Sequence, residues 1–176
     1  MKVFGIAGYS GSGKTTLMEN LIPQFVMEGL KVSVIKHAHH NFDVDRPGKD
    51  SYRHREAGAS EVLVTSDKRW VLMHESRGEE EPTLEQLLTR FSACDLVLVE
   101  GFKTEPIPKL EVHRIANAKP PLYPQDKTVV AIACDEPVAT RLPQYNLNDA
   151  EAIAKFIMCY LNLTAAPAKQ AGAGHD

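Results

Sequence analysis

Gly8-Tyr9-Ser10-Gly11-Ser12-Gly13-Lys14-Thr15 satisfies the pattern G-x-x-x-x-G-K-[ST] without a mismatch. Before it lies a short apolar run, Val3-Phe4-Gly5-Ile6-Ala7. After it, from Lys14 to Glu28, apolar residues recur at Leu17, Leu21, Ile22, Phe25 and Val26, which is helical spacing. Strand, glycine loop and helix in this order make a phosphate cradle: the glycines let successive backbone N–H groups turn inward, and the helix N-terminus adds partial positive charge. Ser10, Gly11, Ser12, Gly13, Lys14, Thr15 and Thr16 are therefore the candidate phosphate site. Lys14 would reach the β- and γ-phosphates of a nucleoside triphosphate and the Thr15 hydroxyl would ligate Mg²⁺. In a chain of ordinary glycine usage a chance match is expected about 0.01 times or less, which weighs against a turn that binds nothing.

Outward from this segment the rest of the chain reads as α/β. Pro23 interrupts the first helical pattern and predicts a kink or strain there, and Gly29 is a good helix stop. Val32-Ser33-Val34-Ile35, Leu96-Val97-Leu98-Val99 and Val129-Val130-Ala131-Ile132-Ala133 are continuous apolar runs, as expected of parallel strands covered on both faces. Between them a short helix is predicted over Ser51 to Gly58, then two strand-like runs, Glu61 to Thr65 and Trp70 to Met73. Arg77 to Glu81 reads as a charged loop, and Thr83 opens a helix with Glu85 and Gln86 in its first turn. Lys119-Pro120-Pro121 through Pro124 reads as loop. Asn148 is the expected N-cap of a last helix ending at Leu161, with Ile153, Phe156, Ile157 and Tyr160 on one face. Residues 1–162 are thus expected to form the nucleotide-binding domain, and 163–176, rich in Ala, Gly and Pro, a mobile tail. The lone Trp70 is expected in a core, and His54 and Arg55 on a helix face.

Composition narrows the class. The 176 residues are 43% hydrophobic and 24% charged, ordinary globular usage. Twenty Lys+Arg against 23 Asp+Glu leave a formal charge of −3, which argues against a nonspecific nucleic-acid binder. No apolar run approaches the ~20 residues of a membrane span, and the run after Lys2 is too short for a signal peptide. Cys94, Cys134 and Cys159 are far apart and form no Cys-x-x-Cys, so they read as small buried thiols rather than disulfides or zinc ligands. A cytoplasmic protein is the expectation.

Two further groups of residues bear on chemistry. Leu96-Val97-Leu98-Val99-Glu100-Gly101 is an apolar strand ending in a carboxylate; beside the first strand it would bring Glu100 to the Mg²⁺ or its waters, as a Walker-B acid does. The alternative is an acid that merely ends a strand. The second group is the loop after the second strand, from Lys36-His37-Ala38-His39-His40 to Asp50-Ser51. It crowds three histidines and several carboxylates at a strand's carboxyl end, where open α/β sheets bind ligands. Asp43, Asp45, Lys49 or Asp50 would serve the Mg²⁺ shell and phosphates, or the loop is simply solvated; the histidine spacing matches no standard zinc site. The Asn-Lys-x-Asp of guanine readers is missing, and Asp135, just beyond a strand, either reads a base edge or caps a turn.

Taken in order, several of these segments resemble the molybdopterin-guanine dinucleotide biosynthesis protein B family. They are the glycine loop, Ile35-Lys36-His37 running into Asp43-x-Asp45-x-Pro47-Gly48-Lys49-Asp50-Ser51, Ala57-Gly58-Ala59, Trp70-Val71-Leu72-Met73 and Val99-Glu100-Gly101-Phe102-Lys103. The likeness spans about Lys2 to Leu161. It implies a P-loop NTPase fold, a mostly parallel sheet flanked by helices with a small extra β region. It further implies a homodimer that binds GTP with Mg²⁺ and acts as an adaptor for the guanylyltransferase converting molybdopterin to its guanine dinucleotide, with molybdopterin contacted directly or through that enzyme. By position, Gly11 to Thr16 would hold phosphate, Thr15 would ligate Mg²⁺ and Glu100 would be the Walker-B-like acid; from the loop and strand-end readings above, Lys49 and Asp135 are added as nucleotide contacts and Asp45 and Asp50 as metal candidates. A slow GTPase is the most catalysis this pattern implies. The competing reading is a P-loop small-molecule kinase, with Arg53 and Arg55 as lid arginines; a third, a metal chaperone, would rest on His37, His39 and His40.

Overall fold

The structure is a computed structural model that describes residues 1–38 and 42–164. His39 and His40 lie outside the described residues, as does the expected tail from 165 onward. The chain divides into two compact units, one formed by residues 1–37 with 90 onward and the other by residues 38–89.

The first unit is built on a six-stranded sheet. In chain order its elements are β1 (Lys2–Ala7), α1 (Lys14–Met27) and β2 (Val32–Lys36). The second unit interposes α2 (Asp50–Glu56), β3 (Glu61–Thr65), β4 (Trp70–His74) and α3 (Leu84–Leu88). The first then resumes with β5 (Leu96–Glu100), β6 (Lys109–His113), a single 3₁₀ turn at Ile115–Asn117, β7 (Val129–Cys134), β8 (Gln144–Asn146) and α4 (Ala150–Leu161). The strand order is β2-β5-β1-β6-β7-β8, and every pairing is parallel.

One face of this sheet is covered by α1 and α4. Leu17, Leu21 and Phe25 of α1 and Ile153, Ala154 and Ile157 of α4 pack with Phe4 and Ile6 of β1, Leu96 and Leu98 of β5, Leu110 and Val112 of β6, and Ala131 and Ala133 of β7. Alternate residues along each strand supply this core, as the pleat requires. On the opposite face of β7, Val129, Ile132 and Cys134 are covered by loop residues Tyr123, Val138 and Leu142. The run from β6 to β7 is thus a loop through the proline-rich stretch rather than a helix.

Several sequence expectations hold. β1, β2, β5 and β7 fall on the apolar runs, and α1 continues through Pro23. Thr83 caps α3 with a full capping box, its hydroxyl taking the Gln86 N–H while the Gln86 side chain accepts from the Thr83 N–H. α4 is capped by Asp149, not Asn148: the Asp149 carboxylate accepts from Ala152 N at 3.0 Å, whereas the Asn148 N–H is given to Asn146 Oδ1.

Two strands go unread in the sequence. β8 has only three residues. β6 carries alternating charge, Lys109-Leu110-Glu111-Val112-His113, yet all five residues are buried. Its ions are answered locally. Lys109 Nζ meets the carbonyls of Lys103 (2.7 Å) and Glu105 (2.8 Å) and the Asp126 carboxylate (3.2 Å), and Glu111 accepts the N–H groups of Leu122 (2.7 Å) and Tyr123 (2.9 Å). A buried charge persists only when paired and hydrogen-bonded.

In the second unit β3 and β4 form an antiparallel hairpin with Glu61 opposite His74 and Thr65 opposite Trp70. Trp70, expected in a core, is 63% exposed, and Leu63, Val64, Val71 and Leu72 are also exposed. A two-stranded sheet has too little surface to bury its own aromatics.

Candidate functional site

The glycine loop leaves β1 through backbone that only glycine adopts without strain. Gly8 has φ +146°, and a Cβ there would lie 2.5 Å from the Val112 carbonyl oxygen of β6. Gly13 has φ +95° and takes the N-cap position of α1 without a side-chain cap, which leaves the first N–H groups of that helix for a ligand. The loop is braced from the residue after β6: Arg114 Nε donates to the Ser12 carbonyl at 3.0 Å and the guanidinium lies against Gly13.

Lys14 is folded back on the loop, its ammonium donating to the carbonyls of Gly8 (3.0 Å) and Tyr9 (2.9 Å). Partial burial holds its pKa below the usual lysine value; the Glu100 carboxylate opposes this, while the cations of Lys103 and Lys36 reinforce it. Three lysines, Lys14, Lys36 and Lys103, are thus close enough at the loop to act on one another.

Because β5 lies directly beside β1, with Ile6 in register with Glu100, the carboxylate reaches the first turn of α1. Thr15 Oγ1 donates to Glu100 Oε1 at 3.2 Å, and Lys36 Nζ, at the end of β2, stands 3.6 Å from Glu100 Oε2. Glu100 is only 12% exposed. A hydroxyl and a carboxylate at this spacing suit Mg²⁺, which takes hard oxygen ligands, binds through one or two carboxylates and fills its shell with phosphate and water. Among the described residues no group of three or more His, Cys, Asp or Glu could hold a metal ion.

The structure brings Ser10 to Thr16 and Glu100 together and adds Lys36, Lys103 and Arg114, to which sequence reading assigns no role. The continuation of Glu100 into Gly101-Phe102-Lys103 is the one signal that could have singled out Lys103; Arg114 has none, because its strand goes unread. Asp135 ends β7, and its Oδ1 accepts from Ile115 N (3.2 Å) and Glu136 N (3.1 Å), tying the ends of β6 and β7 together. Lys49, Asp45 and Asp50 belong to the second unit. There Asp45 gives both oxygens to Arg55, at 2.6 and 3.3 Å, and Arg55 also pairs with Asp43 (2.9 Å) and Glu75 (2.8 Å). The hydrogen bonds from Arg55 hold the Asp45 carboxyl below its ordinary pKa. Lys49 is the exposed N-cap residue of α2, and Asp50 lies 4.0 Å from Arg53.

A parallel sheet whose first strand runs into a glycine cradle, with a strand-end carboxylate against the first turn of the following helix, defines a phosphate-loop α/β protein. The sequence model of the family described as molybdopterin guanine dinucleotide synthesis protein B matches residues 3–135, and the chain belongs to that family. A relative from Haemophilus influenzae, named as a molybdopterin-guanine dinucleotide biosynthesis adapter protein, is 46% identical over 162 residues, 91% of this chain and 89% of its own. One of the same name from Escherichia coli is 43% identical over 159 residues, 89% of this chain and 91% of its own. A crystal structure of molybdopterin-guanine biosynthesis protein B superposes with a TM-score of 0.73 at 29% identity, covering 91% of this chain and 99% of that one.

Proposed function

We propose that this chain is a GTP-binding adapter in molybdenum cofactor biosynthesis, assisting the guanylyltransferase that converts molybdopterin to molybdopterin guanine dinucleotide. The adapter role accords with the family and with the names of the relatives from Haemophilus influenzae and Escherichia coli. The observation that carries nucleotide binding is the Thr15–Glu100 contact at 3.2 Å beside the folded-back Lys14. Ser10 to Thr16 would cradle the phosphates. Thr15 and Glu100 would hold Mg²⁺, which when bound screens phosphate charge. Asp45 and Asp50 are weaker candidates for the metal shell, since Asp45 spends both oxygens on Arg55. Asp135 would reach a base edge with the oxygen not engaged by Ile115 and Glu136, and Lys49 remains the candidate for an outer phosphate contact.

The kinase reading is less favoured. A lid needs arginines available to a transferring phosphate; of the two candidates, Arg55 is committed to Asp43, Asp45 and Glu75 and is 11% exposed, which leaves only Arg53, 74% exposed and 4.0 Å from Asp50. Turnover is limited to slow GTP hydrolysis, and the cytoplasm is the natural site for a chain that works with cofactor precursors. The exposed apolar hairpin of β3 and β4 supports a homodimer, because such a face gains most by packing against a second copy.

Calorimetric titration with GTP and ATP, with and without Mg²⁺, tests the site, and a guanylyltransferase assay tests the role. The reading expects Mg²⁺-dependent GTP binding and increased guanine dinucleotide output when this chain is added. Absence of nucleotide binding, or transfer of the γ-phosphate to a pterin by this chain alone, would overturn it.

A further inference from the structure

The turn after the Glu100 carboxylate is held in unfavourable backbone and clamped from below. Gly101 has φ +98°, and Phe102 has φ +47°, a left-handed conformation that a bulky side chain rarely adopts. The Phe102 ring lies 4.7 Å from that of His37, and its carbonyl accepts from Glu105 N at 3.1 Å. The Lys109 ammonium, 2% exposed, is spent on fixing this same turn through the Lys103 and Glu105 carbonyls, with Asp126 supplying the counter-charge. Local strain of this sort persists only where surrounding structure imposes it, and it concentrates at functional sites.

What the strained turn presents is the Lys103 side chain. Its ammonium stands 5.2 Å from the centre of the Tyr9 ring, inside the phosphate loop itself. The third lysine near the loop, Lys36, faces the Glu100 carboxylate. Lys103 by contrast lies over an aromatic face and forms no ion pair among the described residues. A cation held over a ring beside a phosphate cradle keeps its charge available to a ligand.

We propose that Lys103 is a second phosphate-binding cation, supplied by the chain itself and held over Tyr9, which recognises the terminal phosphoryl group of a bound nucleoside triphosphate. This deepens the nucleotide-binding reading and rests on it. Lys14 alone brings one positive charge to a tail whose terminal phosphoryl carries roughly two negative charges at neutral pH, so a further cation at the loop is electrostatically useful. The repulsion that Lys103 and Lys36 exert on Lys14 is the cost of crowding cations before an anion arrives.

The test is the affinity of Lys103→Met for GTP, GDP and GMP in the presence of Mg²⁺, beside the parent chain and Lys103→Arg. Methionine keeps an unbranched apolar stem against Tyr9 while removing the charge. The expected result is a loss of about tenfold for GTP, a smaller loss for GDP, none for GMP, and recovery of most GTP affinity in Lys103→Arg. Equal affinities of parent and Lys103→Met, or equal losses for all three nucleotides, would overturn the assignment and leave the glycine-loop reading standing. A parent chain that binds none of the three overturns both. A lowered thermal midpoint with unchanged GTP preference over GMP would make Lys103 a structural residue and also overturn it.

Discussion

Thr15 and Glu100, 85 positions apart in the sequence, meet at 3.2 Å because the two parallel strands β1 and β5 end side by side. Neither residue is unusual alone. Their meeting places a hydroxyl from the first turn of α1 against a carboxylate, with Lys14 one residue away and Lys36 beyond. Removing the carboxylate's charge should therefore affect metal-assisted binding selectively. For Glu100→Gln, GTP affinity measured with Mg²⁺ is expected to fall about tenfold, the value of one charge-assisted contact. Affinity measured in a chelator should change little or rise, since a negative charge near phosphate has been removed. Titration calorimetry under both conditions checks this.

Lys14→Ala should remove tight nucleotide binding in both conditions while leaving the protein folded. The ammonium bonds two loop carbonyls, Gly8 and Tyr9, at the edge of the loop rather than in the core. Water replaces such partners at small cost. An expected loss of more than tenfold in GTP affinity, with a thermal midpoint close to that of the parent, would show the lysine acting on the ligand rather than on the fold.

The glycine-loop part of the candidate site is legible in the sequence because it is written in consecutive residues. Gly8 to Thr15 needs only a strand before it and a helix after it, and both have strong apolar periodicity. Glu100 needs one further assumption, that its strand adjoins the first. What escaped reading depends on residues brought from afar. β6 alternates charged and apolar residues and so reads as a half-exposed segment. Its central position is possible only because Asp126 and the Lys103 and Glu105 carbonyls meet Lys109, and the amides of Leu122 and Tyr123 meet Glu111. Arg114 and its brace on Ser12 disappear from view together with that strand. Trp70 fails for the opposite reason: its strand is read correctly, but a hairpin offers no interior to receive it.

Lys109 and Asp126 give a stability prediction. Asp126→Ala leaves a nearly fully buried ammonium without its counter-ion, and breaking such a pair from one side costs about 3–5 kcal/mol. Since Asp126 is itself 27% exposed, water can partly replace it, and about 3 kcal/mol is expected. Burial works against ionisation of this carboxyl, but hydrogen bonds from Thr128 and Lys109 prevail and hold its pKa below the ordinary value of 3.8. Its contribution is therefore present above the unfolded-state value and lost as pH falls through the lower folded one. Urea unfolding of parent and variant from neutral to strongly acidic pH should show the two curves converging at the acid end.

The hairpin carries a titration of the opposite sign. His74 is flanked by Glu61 at 3.0 Å and Glu79 at 3.2 Å, and these raise its pKa above the ordinary 6.5. A raised folded-state value stabilises the folded form fully below the unfolded pKa, and the contribution disappears as pH rises through the folded value. His74→Gln should thus be less stable than the parent in mildly acidic solution and approach it in alkaline solution. The difference in thermal midpoint across that range measures it, and a difference independent of pH would show that protonation is not involved.

The exposed face of that hairpin sets the final expectation. Leu63 is 59% exposed and Trp70 63% exposed, and with Leu72 they lie on one face of the hairpin, while Val64 and Val71 pair on the other; the element is too small to form its own core. Fully burying a side chain of this size contributes roughly 1.5–3 kcal/mol, and a symmetric pairing would bury each residue twice. The proposed homodimer would pair through β3 and β4, in which case a single substitution acts on both copies. Trp70→Glu is expected to convert a dimer to a monomer in sedimentation velocity at micromolar concentration, because each protomer would have to bury an unpaired carboxylate. Lys14, Thr15 and Glu100 belong to the other compact unit, so GTP affinity per chain should be unchanged. A Trp70→Glu protein that sediments as the parent does would remove this face from the interface. One that becomes monomeric and also loses GTP binding would mean that each copy contributes to the other's nucleotide site.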